Sequence, residues 1–279
     1  MRKDLDYQSP KWEKEQKKDS QLLRQLKGKD ITLNNLQRLL EERKKSPESR
    51  RYRSLYTNLH LKYRILAGVS YLRNPTDQQC IKYTYLSGVS AVLAYLFYVS
   101  DPPEKLDKTD RQNVILDFTL GTLQIYAVNQ PLPSCIHHID NPYVQLLLGN
   151  IDNATSLLNK LDSQFNPSEP YQFWISESER AIIQAAIEKD GQTMKDLLVQ
   201  RVKRYRREPV GYSVFLDIYA IAFIKLAHIW NLNCDINVIE IPSFFFDDTV
   251  CKINPSTTQV PFFEEAKKEL EQYGVALEL

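Results

Sequence analysis

The chain has 279 residues, 43% of them hydrophobic and 25% charged, which is the composition of a folded protein with one large domain or two small ones. It has 36 Lys and Arg against 35 Asp and Glu, and the formal net charge of +1 excludes a strong bulk attraction to nucleic acid or to an anionic membrane. Tight hairpins and phosphate-binding loops depend on glycine, so a chain with only 8 glycines is expected to favour helices over sheets.

The cysteines and the start of the chain bear on the compartment. The cysteines are widely spaced and form no CxxC pair, which argues against a zinc ribbon or a thioredoxin-like site and favours a reduced setting: Cys80, Cys135, Cys234 and Cys251. The N-terminal residues alternate in charge and lack the apolar core of a signal peptide. The apolar stretch from Leu86 is shorter than the ~20 residues of a membrane helix. We therefore expect a cytoplasmic protein that does not enter a membrane.

The first third of the chain predicts a charged arm followed by two long helices. Residues 1–46 form the arm, in which leucines at helical spacing give a narrow apolar face and Thr32 is the predicted N-cap: Leu33, Leu36, Leu39 and Leu40. A helix is predicted from Glu48 to Arg73, because Asn74-Pro75 disfavours its continuation. A second is predicted from Thr76 to about Ser100. We expect the two to form an antiparallel pair, with the small residues of "LAGVS" and "LSGVS" allowing close approach of the backbones.

The later segments also predict helices. The stretch from Arg111 has both strand-like alternation and helical spacing, and helix is favoured. The segment "PLPSCIHHIDNP" is predicted to be a loop or a capped turn that ends at the Asn141-Pro142 stop. The segments from Tyr143 and from Ala181 each place a polar turn between two apolar helices, like the hairpins stacked in solenoids. Further helices are predicted over 213–230 and 261–273. Residues 47–279 are therefore predicted to form one all-α domain, a bundle or short solenoid of about ten helices.

One of these helices carries three groups that could do acid–base chemistry. The apolar stretch from Gly211 contains Asp217, Lys225 and His228, which fall roughly on one helical face. Acid–base catalysis would also need a substrate pocket and a second carboxylate or a nucleophile. We therefore interpret the three as a polar seam on a buried structural helix, and expect Asp217→Ala to lower stability.

Two other clusters could bind a metal ion or a phosphate. The loop around "CIHH" groups potential zinc ligands, but adjacent histidines point in different directions and no HExxH accompanies them, so a solvated loop without metal or cofactor is expected: Cys135, His137, His138 and Asp140. The basic run Arg201 to Arg207 surrounds Tyr205 and could track a phosphate backbone. Cations at a helix C-terminus explain this run more simply.

An aromatic and acidic loop is the last candidate site. In "NVIEIPSFFFDDTVCKINPS", three consecutive phenylalanines stand beside carboxylates, a combination that suits an interface with a basic partner. A loop tucked over the bundle is an equal alternative. The motifs GxxxxGK[ST], GxGxxG, GxSxG and HExxH do not occur in the chain, so we expect a binding protein and not an enzyme.

The pattern of apolar helical segments along the chain resembles that of a family of bacterial proteins. The segments "LDIYAIAFIKLAHIWNLNCDINVIEIP", "QQCIKYTYLSGVSAVLAYLF" and "AAIEKDGQTMKDLL" are similar to polymorphic-toxin immunity proteins, and most closely to the immunity protein 49 family. The resemblance spans about Tyr56 to Pro242. It implies an all-α cytoplasmic protein that binds a toxin domain delivered by the secretion system of a sibling cell and blocks it without catalysis.

We predict that the partner, a cognate toxin domain, contacts acidic and aromatic side chains: Glu177, Glu179, Glu240, Phe245, Asp247 and Asp248. If the toxin is a nuclease, its basic cleft would face the acidic residues of this set. Two alternatives stay open. One is a helical-repeat scaffold or nucleic-acid adaptor that uses the basic run, although nucleic acid is the less favoured partner. The other is an enzyme that uses the Cys135 to Asp140 loop.

Overall fold

The protein is all-helical, as the sequence predicts. The computed structural model describes residues 20–45, 52–73, 78–100, 108–163, 176–207, 216–238, 240–255 and 257–278. These ranges contain ten α-helices and no β-strand, apart from an isolated bridge between Val238 and Ile241. The first part of the charged arm, the turn at Asn74-Pro75 and the predicted helix start at Thr76 lie outside the described residues.

The helices follow one another along a single packed core. Their bounds are α1 (Ser20–Lys45), α2 (Tyr52–Arg73), α3 (Gln78–Ser100), α4 (Lys108–Ala127), α5 (Pro142–Leu147), α6 (Ile151–Ser163), α7 (Glu177–Ile187), α8 (Gly191–Arg207), α9 (Ile218–Ile229) and α10 (Phe263–Gln272), with 3-10 turns at Ser134–Ile136 and Ser243–Phe246. The ambiguous stretch from Arg111 lies in α4, so the preference for helix was correct.

The arm helix α1 packs on the domain through its leucine face, but its predicted start is wrong. Leu36 is buried, and Leu33, Leu39 and Leu40 pack partly buried against the core. Thr32 lies inside a helix that already begins at Ser20, so it is not an N-cap. Strong helix formers such as Leu, Arg, Gln and Lys precede it and continue the helix through this position.

Helices α2 and α3 form the predicted antiparallel pair at the centre of the fold. Tyr52 stacks on Phe97 with ring centroids 5.2 Å apart, and Tyr63 stacks on Tyr83 at 6.0 Å, so the contacts run in opposite directions along the two helices. The Tyr56 hydroxyl lies 3.1 Å from the carbonyl oxygen of Pro261 and donates to the chain entering α10. The C-terminal helix is thereby tied to the central pair.

A close backbone approach occurs between α3 and α4. A Cβ atom added to Gly121 would lie 2.6 Å from the Ala91 Cβ and 2.9 Å from the Gly88 carbonyl oxygen. Glycine is therefore required at this crossing, because no side chain fits between the two backbones. Within "LSGVS", Ser87 donates to the His60 carbonyl oxygen of α2 at 3.0 Å, whereas Gly88 faces α4.

Helix α3 is the one described helix that is long and apolar enough to cross a membrane by length and composition. It spans Gln78–Ser100, and 83% of its most apolar window is buried inside the protein between α2 and α4. A core helix of a globular fold passes the same test of length and composition. The packing accounts for its apolar sequence without a membrane.

The two predicted helical hairpins are present, and their turns are built in the same way. In α5–α6 the Asn150 N–H donates to the Gln145 carbonyl at 2.8 Å; in α7–α8 the Asp190 N–H donates to the Ala185 carbonyl at 2.9 Å. These bonds, with a left-handed residue just before Asn150 and Asp190, define the Schellman ending of a helix. The hairpins therefore repeat at an offset of 40 residues.

Helix α5 begins where the sequence predicts, directly after the loop that ends at Asn141-Pro142. Asn141 is its N-cap, and the Asn141 side chain accepts hydrogen bonds from the Tyr143 and Val144 N–H groups. Proline is favoured at the first helical position because its missing N–H would have no partner there. An Asn-Pro pair can therefore begin a helix as readily as end one.

Candidate functional site

The first candidate group is a buried ion-pair cluster formed by Arg201, Asp217, Glu179 and Tyr219. The Arg201 Nε donates to both Asp217 oxygens at 3.1 and 3.2 Å, and its Nη1 donates to Glu179 at 3.1 Å. The guanidinium also lies over the Tyr219 ring, 4.3 Å from its centroid. Burial alone would lower the pKa of Arg201, but the two carboxylates raise it above its usual value. This Arg201 cluster joins α7, α8 and α9.

The same cluster shows how α9 begins. Asp217 is 1% exposed and lies before the first residue of the helix, where its side chain accepts a hydrogen bond from the Ala220 N–H. The predicted start at Ser213 lies outside the described residues, and the observed start is Ile218. Asp217 is therefore an N-cap and an ion-pair partner at once.

Lys225 forms a separate buried polar contact two turns along α9. Its Nζ donates to the Asn129 Oδ1 and lies 3.9 Å from the Cys251 Sγ. Burial lowers the pKa of Lys225 and raises the pKa of the Cys251 thiol. Asn129 in turn donates to the exposed Asp248 at 2.9 Å. These contacts fix the 247–251 turn against α4 and α9.

His228, the third group, lies at the surface. Its side chain is 40% exposed, and its Nε2 lies 2.7 Å from the Asp235 Oδ1, while the ring meets Phe246 edge-on. The predicted polar seam is present in part. Asp217, Lys225 and His228 lie within about 80° of one another around the helix axis, and Asp217 and Lys225 are buried. His228 is exposed, and the three side chains contact different partners.

Two of the predicted partner-binding residues are in the core. Glu240 is 4% exposed and Phe245 is fully buried, so the expectation that a partner contacts them directly is corrected. Phe245 stacks on Phe244, which in turn packs against Tyr71, and only Phe246 is half-buried. The aromatic loop is therefore tucked over the bundle, the alternative reading of its sequence.

The remaining predicted residues do not share one patch. Glu177, Asp247 and Asp248 are exposed, whereas Glu179 is half-buried inside the Arg201 cluster. Glu179 lies beside the first residues of α9, and Asp248 is tied through Asn129 to Lys225, about 12 Å further along that helix. A single acidic surface built from all four is not what the fold presents.

The Cys135 loop forms part of a groove. Cys135, His138 and Asp140 line a groove of about 620 Å³ together with Tyr95 and Val99. No group of three or more His, Cys, Asp or Glu able to hold a metal ion occurs in the described part of the chain. Burial raises the pKa of the Cys135 thiol to about 11, which disfavours the reactive thiolate.

A buried Ser–His–Asp arrangement between α2, α3 and α4 was not foreseen. The Ser87 hydroxyl donates to the His60 carbonyl oxygen at 3.0 Å and lies 3.0 Å from the His60 Nδ1, which assigns the imidazole proton to Nδ1. The His60 Nε2 lies 3.6 Å from the Asp117 Oδ1. Ser87 is fully buried and its proton is engaged, so it cannot act as a nucleophile.

The charges of this arrangement are set by burial. Desolvation lowers the pKa of His60 to about 4 and raises the pKa of Asp117 to about 6. At neutral pH the imidazole is therefore neutral, and the 3.6 Å contact with Asp117 is not an ion pair. No sequence signal pointed to it, because His60 meets Ser87 only through the register of two helices.

A cleft of about 1230 Å³ lies between α2, α4 and the hairpin α7–α8 in the described part of the chain. Its floor includes Asp117 and part of the Arg201 cluster, and its walls carry the exposed leucines Leu61 and Leu116. Leu61 is 41% exposed and Leu116 is 37% exposed, on two helices that face each other. Exposed large apolar side chains in a cleft are typical of binding sites.

Comparisons of the chain with family models, with curated proteins and with solved structures returned no significant match. The resemblance to the immunity protein 49 family therefore remains a prediction from the sequence. Function has to be argued from the sites themselves, because a helical fold is compatible with many functions.

Proposed function

We propose that this protein is a non-catalytic inhibitor, an immunity protein that binds a cognate secreted toxin domain in the cytoplasm and occludes it. The sequence resemblance supports this proposal. It is also supported by the contrast between the candidate reactive side chains, which are buried, and the open cleft, which exposes apolar side chains. Each of these observations can be tested apart from the other.

The observation that carries the proposal is that the candidate reactive side chains are buried and bonded to other residues of the same chain. Asp217 and Lys225 are buried and bonded to other residues of the same chain, and Ser87 is inaccessible. The cleft, in contrast, exposes Leu61 and Leu116 next to polar side chains. Such a surface suits tight binding through many contacts.

The test is co-expression with the product of the neighbouring gene. We expect the neighbouring product alone to arrest growth, and co-expression to restore growth and yield a one-to-one complex on purification. A neighbouring product that is not toxic and does not co-purify with this protein would contradict the proposal.

A second candidate, a helical-repeat scaffold or nucleic-acid adaptor, draws support from the hairpins repeated at a 40-residue offset. For a nucleic-acid adaptor, Arg201 would not be available to bind phosphate, because Asp217 and Glu179 hold its guanidinium. The side chains of Arg204, Arg206 and Arg207 lie outside the described residues. A steep salt dependence of binding to single-stranded RNA or DNA would favour this candidate over the inhibitor.

A further inference from the structure

The cleft is walled by stripes from three helices. On α2 the lining residues recur at the spacing of one helical face over about 16 Å, or three turns: Arg53, Ser54, Thr57, Asn58, Leu61 and Arg64. α4 contributes a shorter stripe that includes Val114, Leu116 and Asp117, and α8 contributes Leu197, Gln200 and Arg201. In the described part of the chain, three helices thus present side chains to the same space.

The length of the cleft agrees with a short helix. The α2 stripe from Arg53 to Arg64 runs about 16 Å along one wall, which is the length of a three-turn helix. A small metabolite would leave much of this space empty, and a folded domain would not enter it.

The chemistry of the walls indicates which face such a helix would present. Leu61, Leu116 and Leu197 project apolar surface from three sides, which favours an amphipathic helix with leucine-like side chains at three- and four-residue spacing. On the α2 wall, Arg53 forms no ion pair with any other residue in the described ranges. Arg64 lies 11 positions further along the same stripe. The guanidinium groups thus stand near the two ends of the apolar stripe.

The carboxylates at the floor of the cleft do not neutralise both arginines of the α2 wall. Glu179 and Asp217 already hold Arg201, and Asp117 faces the neutral His60 with Arg64 nearby. Among the described lining residues three arginines stand against two carboxylates, Asp117 and Glu179, so a positive charge remains on the α2 wall that carries Arg53. A carboxylate on the occupant would meet it with charge complementarity.

We infer that the cleft binds a three-turn amphipathic helix of a partner protein, with apolar side chains against Leu61, Leu116 and Leu197 and a carboxylate toward Arg53. This inference rests on the proposed function in one respect, since it takes the partner to be a protein. It differs from the expectation of a basic toxin surface, because the charge that remains on the α2 wall is positive.

The test uses two fluorescein-labelled helical peptides of about 15 residues with the same leucine face, one flanked by glutamates and one by lysines. Fluorescence anisotropy with the full-length protein measures each Kd. We expect the glutamate peptide to bind at least about ten-fold more tightly than the lysine peptide, and Arg53→Glu to remove that preference.

Three variants locate the binding. Leu61→Arg and Leu116→Arg each change an exposed residue, so the fold is retained, and each should weaken the glutamate peptide at least about ten-fold. Val99→Arg is the matched control, because Val99 is 48% exposed and lies outside the cleft. The inference is overturned if neither peptide binds, if the lysine peptide binds as well, or if Val99→Arg weakens binding equally.

The two proposals fail separately. If the wild type rescues growth from the toxin and Leu61→Arg and Leu116→Arg rescue it equally, the cleft inference is wrong and the inhibitor proposal stands. If the glutamate peptide binds as expected but the neighbouring product is neither toxic nor bound, the inhibitor proposal is wrong and the cleft assignment stands.

Discussion

Arg201 in α8 donates from one nitrogen to both carboxylate oxygens of Asp217, at 3.1 and 3.2 Å, and so fastens the start of α9 to the second hairpin. Asp217 is 1% exposed, and the Arg201 side chain is 19% exposed. Removing one member of a buried pair leaves the other charge without its full complement, which is costly even where the intact pair adds little net stability.

Asp217→Ala is therefore expected to lower the free energy of unfolding by about 3 kcal/mol, because it removes an N-cap and a partner of Arg201. Urea unfolding followed by circular dichroism measures the change. Asp196→Ala, at an exposed position of α8, is the control and should stay within about 0.5 kcal/mol of wild type. An unchanged unfolding midpoint for Asp217→Ala, together with lost inhibition, would instead indicate a direct functional role.

Asp117→Asn is expected to stabilise the protein at neutral pH. A carboxyl whose pKa is raised to about 6 in the folded state contributes stability below its unfolded value near 4, and this contribution is lost as pH rises through 6. The amide of the variant does not ionise, whereas the wild-type carboxyl becomes charged above pH 6. The variant should therefore be more stable than wild type by about 1–2 kcal/mol at pH 7.5. The difference should vanish by pH 4, and a constant difference across this range would contradict the assignment.

His60 is expected to stay neutral at unusually low pH. Its pKa of about 4 lies below the unfolded value of 6.5, so it contributes stability above pH 6.5 that is lost as pH falls through 4. NMR of the imidazole protons should show one of the four histidines unprotonated at pH 5, and its signal should be missing from His60→Gln. Four histidines that all titrate above pH 6 would refute this.

Gly121→Ala is expected to destabilise the α3–α4 crossing by about 1–3 kcal/mol, because the new Cβ would lie 2.6 Å from the Ala91 Cβ. The double variant Gly121→Ala with Ala91→Gly removes that contact and should recover part of the loss. Recovery should be incomplete, since the Gly88 carbonyl oxygen remains 2.9 Å from the new atom. Thermal unfolding of the wild type and the three variants measures the coupling, and additive losses would argue against the contact.

The helices themselves could be predicted because their signals are local. Apolar residues at three- and four-residue spacing place α2, and the polar turns in the two hairpins place the breaks between helices. Boundaries were less accurate where tertiary contacts decide them. Asp217 begins α9 because Arg201 and the Ala220 N–H both use its carboxylate.

The sites could not be predicted in the same way, because they depend on residues that the sequence keeps far apart. His60 meets Ser87 through the register of α2 and α3. The cleft exists only because stripes from three helices face one space.

The central claim is that this protein inhibits by binding and not by chemistry, and a stoichiometric titration tests it most directly. The purified product of the neighbouring gene is held at fixed concentration well above the Kd, and its toxic activity is measured as this protein is added. The account predicts a linear fall in activity that ends at one molar equivalent and does not change with incubation time. Complete and time-dependent inactivation by about a tenth of an equivalent would contradict it, because only a catalyst can act on many molecules in turn.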